Sequence, residues 1–296
     1  MEKQIFWLAS YPKSGNTLLR FILISLFFTK DGVFSFKDSK FISQFESTIN
    51  VIRNKSIFGN DFENIGDINI FYKYILELQT KKSLGFKEDF IFLKTHSGLF
   101  KINENPFTVV NNTRGIIYII RDPRDVSISW SKHNGVTIDK SIDFMNNDYS
   151  NYMWPSLEKN KNLFSKKTNP RTLMSSWEKN VLSWVSLKWD VPILIIKYED
   201  LVYDKLNSLK KIVDFFVNNY KFKFDNLEIK LNNIIKSTEF KILKKYEEKN
   251  GFLEATEHNQ FFSVGKKNQW KKVLSENQIK KIEEKSQKVM KKFNYK

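Results

Sequence analysis

The strongest constraint on how this chain can fold is a single junction near its start. The largely apolar run Gln4–Ser10 stops at Tyr11-Pro12-Lys13-Ser14-Gly15-Asn16-Thr17, and apolarity resumes from Leu18 to Phe28, interrupted only by Arg20 and Ser25. A short apolar run without alternation suits a strand covered on both faces, and the longer run behind it suits a helix. Three further runs have the strand character: Asp89–Lys94, Gly115–Ile120 and Pro192–Lys197, each bounded by polar or turn residues. Between the runs, Thr17–Phe28, Pro123–His133, Arg171–Leu187, Tyr203–Val217 and Ser275–Phe293 read as helices. This alternation predicts an α/β fold with a central parallel β-sheet flanked by helices, as one domain over residues 1–296. Asn50–Ile75 and Ile138–Asn169 show little periodicity and are expected to form surface helices and loops that shape a site.

Composition narrows the chemistry. Lys and Arg number 49 against 33 Asp and Glu, a net charge of +16 that favours anionic partners. Scattered lysines that solvate helix faces account for that excess equally well. The absence of cysteine removes disulfides, thiolate catalysis and Cys-based zinc sites together. His96, His133 and His258 lie far apart with no metal-ligand spacing, so no metal is expected. Leu18–Phe28 falls short of the roughly 20 apolar residues that cross a bilayer, and no small-residue cleavage site follows it. A soluble, cytoplasmic protein without a membrane span is the expectation.

A strand, a tight loop and a helix start make an anion site, because unpaired backbone N–H groups converge there and the helix dipole adds positive charge. Gly15 permits backbone conformations that other residues resist, Ser14 and Thr17 offer hydroxyls, Asn16 an amide, and Lys13 a point charge. The same residues also suit an ordinary strand-to-helix turn with Thr17 near the N-cap. The Walker A pattern is absent, since Lys13 precedes its glycine. Further on, Phe90–Lys94 leads into Thr95-His96, and alternation along an extended chain turns Lys94 and His96 to the same side. Gly115–Ile120 runs into Arg121-Asp122-Pro123-Arg124-Asp125-Val126-Ser127-Ile128-Ser129, where Pro123 suits a helix start, Asp122 its cap, and Arg124 a helix-end ion pair.

In order, these strings resemble the signatures of the sulfotransferases that use 3'-phosphoadenosine 5'-phosphosulfate (PAPS). Tyr11–Thr17 is similar to that family's 5'-phosphosulfate loop, with Asn16 in place of a Thr and Leu18 in place of an adenine-stacking Trp. Lys94-Thr95-His96 resembles its Lys-[Thr/Ser]-His, which implies His96 as general base and Lys94, with Lys13, as neutralisers of the reacting sulfuryl group. Arg121 and Ser129 keep the eight-residue separation of the pair that implies 3'-phosphate binding. Tyr198 in Tyr-Glu-Asp-Leu and Thr238 and Phe240 in Ser-Thr-Glu-Phe match positions near the adenine, and Phe240 is the candidate for the stacking that Leu18 cannot provide. Gly265, Trp270 and Lys271 match the last signature, where Ser263 and Val264 replace its basic pair, Asn268 its second glycine, and Lys266 and Lys267 offer displaced cations.

The resemblance implies a P-loop-nucleotide-kinase-like three-layer architecture and transfer of a sulfuryl group from PAPS, without metal, to a hydroxyl or, second, an amine. The acceptor is expected to be a small molecule or a glycan or lipid, with nucleic acid not expected. Two other functions compete: a P-loop-type nucleotide kinase, and a non-catalytic polyanion- or nucleic-acid-binding protein. The basic runs Lys241–Lys249 and Lys280–Lys292 would serve the last, but their interspersed glutamates suit solvated helix faces.

Overall fold

The structure, a computed structural model, describes residues 3–153, 169–252, 254–255, 260–262, 265 and 267–295. The apolar run at the start forms β1 (Ile5–Ala9), buried at every position. With no polar face to turn outward, β1 must lie inside a sheet, and it pairs parallel on both sides. Its neighbours are β3 (Ile91–Thr95) and β4 (Thr113–Ile120). Beyond β3 lies the two-residue β2 (Ser43–Gln44), parallel to it, and beyond β4 lies β5 (Ile193–Lys197), giving the order β2-β3-β1-β4-β5. Each of the four predicted runs is a strand of this sheet; β2 is too short to leave a pattern in the sequence.

The chain folds as two compact units. The first comprises Met1–Tyr11, Ser43–Tyr118 and Asn147–Ile193; the second comprises Pro12–Ile42, Ile119–Asn146 and Leu194–Lys296. In the first unit, Trp7 meets Phe45 and Phe107 with ring centroids 5.4 and 5.1 Å apart, and Phe107 also meets Trp184. The region 50–75, unassigned from periodicity, is a succession of short helices, including Thr48–Arg53 and Ile68–Tyr74. Arg171–Leu187 departs from expectation. Arg171–Leu173 is a strand paired antiparallel with Asn151–Met153, and the helix occupies only Trp177–Val185. Ser175 and Ser176 donate their hydroxyls to Asp148, and Ser175 takes a left-handed φ of 60°, so the helix cannot begin earlier.

The second unit holds α1 (Asn16–Phe28) and α2 (Pro123–Asn134), each directly after a strand of the sheet. Asp122 caps α2 by accepting from the Arg124 N–H, and Pro123 occupies the first turn, as expected. The predicted helix Tyr203–Val217 is Lys205–Tyr220, and a separate short helix, Tyr198–Tyr203, ends just before it at Asp204. Ser275–Phe293, by contrast, parts at Ser286 into Glu276–Lys285 and Gln287–Lys292, the first opened by a Ser275–Gln278 capping box. An apolar cluster of Ile128, Ile142, Leu274 and Ile282 seats the Glu276–Lys285 helix beside α2 and the helix Ile138–Asn146. Among the described residues no helix is long and apolar enough to cross a membrane.

Arg124 ties the start of α2 to the end of the chain. Its guanidinium donates to Asp122, to Glu283 at 2.7 Å and to the Tyr295 carbonyl at 2.6 Å, and lies 3.7 Å from the Trp270 ring centroid. A buried carboxylate left without its cation is expensive. Arg124→Ala should therefore lower stability by about 3 kcal/mol, read from urea unfolding curves.

Candidate functional site: a phosphate loop and a buried histidine

The loop that leaves β1 belongs to the second unit from Pro12 onward. Lys13 and Gly15 both adopt left-handed backbone, with φ of 63° and 98°. For Lys13 that conformation costs about 1 kcal/mol or more, so the loop is held rather than relaxed. Gly15 is the N-cap of α1, in place of the Thr17 cap that an ordinary turn would have, and no side chain caps the helix. A Cβ at Gly15 would overlap the Tyr198 ring and crowd Ile119. The backbone here is pressed against an aromatic face, and Gly15 has no side chain with which to cap the first-turn N–H groups of α1.

The Ser14 hydroxyl is fully buried and lacks a hydrogen-bond partner among the described residues. A bound anion would supply one, so the loop fits a phosphate or sulfate group. Thr17 donates its hydroxyl to Glu254 at 2.8 Å, and Arg20 pairs with the same carboxylate. Asn16 is buried in the first turn. Lys13 Nζ lies 4.1 Å from the Phe261 ring centroid, a cation–π contact the sequence did not announce.

Arg121, at the junction of β4 and α2, donates to the Lys13 carbonyl at 2.9 Å. Its guanidinium also lies 4.4 Å from the Tyr198 ring centroid, and its Nε is buried without a partner among the described residues. Lys13, Gly15, Arg121 and Tyr198, singled out from three separate segments, are thus one cluster. Ser129 is partly buried further along α2. Asp125, one turn into α2, accepts from the Asn268 N–H at 2.7 Å and the Trp270 N–H at 3.0 Å, fixing the last signature segment to the same helix.

Within that segment Asn268 has a φ of 59°. The resembling proteins carry glycine at this position, and Asn is among the few other residues that tolerate a left-handed backbone. Gly265, at φ 64°, leaves no room for a Cβ against the Phe240 ring. Phe240 is accordingly packed on the segment that was expected to serve the nucleotide. Thr238 is differently engaged: its hydroxyl donates to Ile234 O at 2.6 Å and accepts from Lys205 Nζ at 3.3 Å. Lys267 lies over Tyr203. Lys266, with Ser263 and Val264, lies outside the described residues.

Lys94 and His96 belong to the first unit, at the end of β3, and are 4% and 5% exposed. His96 Nδ1 stands 2.9 Å from the Ser10 carbonyl and 3.0 Å from the Ser10 hydroxyl. A carbonyl only accepts, so Nδ1 carries the hydrogen and Nε2 is the basic nitrogen. The His96 carbonyl accepts from Asn180, whose side-chain oxygen accepts from the Tyr118 hydroxyl. Ser10 and Asn180 were not anticipated, because hydrogen-bond partners drawn from distant segments leave no motif.

The family model for the sulfotransferase domain matches residues 3–294. The chain belongs to the sulfotransferase family. Sulfotransferase 2A2 of Rattus norvegicus is 30% identical over 140 residues, 46% of this chain and 40% of that relative. The luciferin sulfotransferase of Photinus pyralis is 28% identical over 127 residues, 42% of this chain and 29% of that relative. The matched stretches thus span two fifths or less of these curated relatives. Among solved structures, a mouse sulfotransferase complexed with PAP, at 21% identity, has a TM-score of 0.60 and covers 98% of this chain and 86% of its own. That likeness shows the parallel-sheet sulfotransferase fold.

A methyl group at Gly15 meets both a backbone penalty and the Tyr198 ring. Gly15→Ala is expected to cost at least about 1–2 kcal/mol, measured by chemical unfolding, whereas Asn268→Gly should remain within about 1 kcal/mol of the parent.

Proposed function

We propose that this sulfotransferase-family protein transfers a sulfuryl group from PAPS to the hydroxyl of a small acceptor. The observation that carries the reading is the Arg121 contact with the Lys13 carbonyl, which joins the loop expected to hold the 5'-phosphosulfate to the segment expected to hold the 3'-phosphate. A nucleotide with phosphates on both sides of its ribose suits such a cluster, and the solved relative that shares the fold was crystallised with PAP. The buried Ser14 hydroxyl and the Arg121 Nε are two donors for those phosphates.

In this reading His96 Nε2 takes the acceptor's hydroxyl proton while the acceptor oxygen bonds to sulfur. The sulfur–oxygen bond to the 5'-phosphate breaks, and that oxygen leaves with the nucleotide. Ser10, through its carbonyl, keeps Nδ1 protonated and steadies the imidazolium that forms. Lys13 and Lys94 neutralise charge on the leaving oxygen and the sulfuryl group, aided by first-turn N–H groups of α1. Ser129, Tyr198, Phe240 and Gly265 frame the nucleotide, while Asn16 and Thr17 complete its loop. Thr238 contributes mainly through its place between two helices, since its hydroxyl proton is committed to Ile234 O.

The luciferin sulfotransferase among the relatives favours a small organic acceptor over a glycan. A nucleotide kinase is the less suitable reading, because the loop places Lys13 ahead of its glycine and Arg121, not a magnesium-holding carboxylate, closes on it.

Lys13→Ala or His96→Ala should lower turnover of labelled PAPS with a phenol and alcohol panel by at least about a hundredfold; near-normal turnover in His96→Ala would exclude it as the base. PAP should raise the melting temperature while ATP with Mg²⁺ leaves it unmoved. The opposite pattern would favour the kinase.

A further inference from the structure

Glu46 lies just past β2 in the first unit and is 1% exposed. Neither the family signatures nor the steps above use it, although a buried carboxylate is costly to keep. One oxygen accepts from the Thr95 hydroxyl at 2.5 Å and the other from Gln44 Nε2 at 3.1 Å. The Thr95 hydroxyl also accepts from the Ser97 N–H at 3.0 Å, so its own single hydrogen is directed to Glu46. Thr95 is the middle residue of Lys94-Thr95-His96.

The main chain reinforces the same grip. Gln44 is in register with Lys94, and the Phe45 N–H donates to the Lys94 carbonyl at 2.9 Å. β2 is only two residues long, too short for its ladder alone to fix the end of β3. Three anchors therefore hold three consecutive residues: the β2 backbone on Lys94, the Glu46 carboxylate on Thr95, and Ser10 on His96. Burial pushes the Glu46 carboxyl up to about 7, against the opposing pull of the Thr95 hydrogen bond, the Gln44 hydrogen bond and the Lys94 charge. The same carboxylate is thus near enough to feel the ammonium assigned to the sulfuryl group.

We infer that Glu46 is a positioning residue for the reaction, holding the Lys94–His96 strand end in register through the Thr95 hydroxyl. The inference rests on the reading of His96 as the general base. An acid kept only for stability would be replaced without functional loss by an apolar residue of similar volume. A positioning acid would not, because small displacements of a base cost rate rather than affinity.

Glu46→Met and Thr95→Val each remove the shared hydrogen bond. Each should lower kcat about tenfold or more while KM for PAPS and Kd for PAP stay within about twofold. The double variant should be no slower than the worse single, since both changes break one interaction. Thr95→Ser, which keeps the hydroxyl, should restore most of kcat. Full kcat in Glu46→Met or Thr95→Val would overturn the inference, as would fully additive losses. If Glu46→Met does not fold, the Thr95→Val and Thr95→Ser pair decides the matter through the kcat comparison. His96→Ala assayed alongside separates the two claims: normal turnover there removes the base assignment. An inactive His96→Ala beside full-rate Thr95→Val removes only the role of Glu46.

Discussion

The hydrogen bond from Arg121 to the Lys13 carbonyl is the constraint on which the cluster of Lys13, Gly15, Arg121 and Tyr198 depends. Lys13 stands in a backbone region that L-residues avoid, and so needs an external hold. Arg121 supplies it from the end of the neighbouring strand β4, and the Tyr198 ring lies against both the guanidinium and Gly15. With those contacts made, the α1 N–H groups and the buried Ser14 hydroxyl are oriented before any ligand arrives. Preorganised donors stabilise developing charge without reorganising during the reaction, which is what transfer of an anionic group requires.

The C-terminal signature of the resembling proteins is only partly kept, yet carboxylates hold the main chain at Phe261, Phe262, Asn268 and Trp270. Asp125 accepts from the N–H groups of Asn268 and Trp270, two residues apart, and Glu247 accepts those of Phe261 and Phe262. Carboxylates aimed at main-chain N–H groups fix a loop independently of which side chains it carries. This separates the path of the segment from its charge. Ser263 and Val264 remove the usual basic pair, while Gly265 and Asn268 retain the left-handed backbone that the path demands.

Legibility followed the range of the interaction. The four long strands, α1 and α2 were readable because continuous apolarity, Pro123 and Asp122 act within a few residues. The helix expected to begin at Arg171 does not form because Asp148 and Asn151, 20 or more residues away, draw Arg171–Ser176 into a strand and a turn. The turn-prone pair Ser175-Ser176 was the available signal for a helix beginning at Trp177. Ser10, Glu46, Glu247 and Glu254 had no such signal, since each acquires meaning only from a partner supplied by another segment.

By itself the sequence determined the sheet-forming runs, the loop and helix start behind β1, the Arg121 segment and the Lys94–His96 strand end. Those depend on local polarity, backbone freedom and side-chain chemistry, all written in order along the chain. Tertiary structure alone decided which nitrogen of His96 is basic, what presses on Gly15, and what holds Thr95. A tautomer, a close approach and a buried hydrogen bond are fixed by neighbours distant in sequence, and only folding chooses those neighbours.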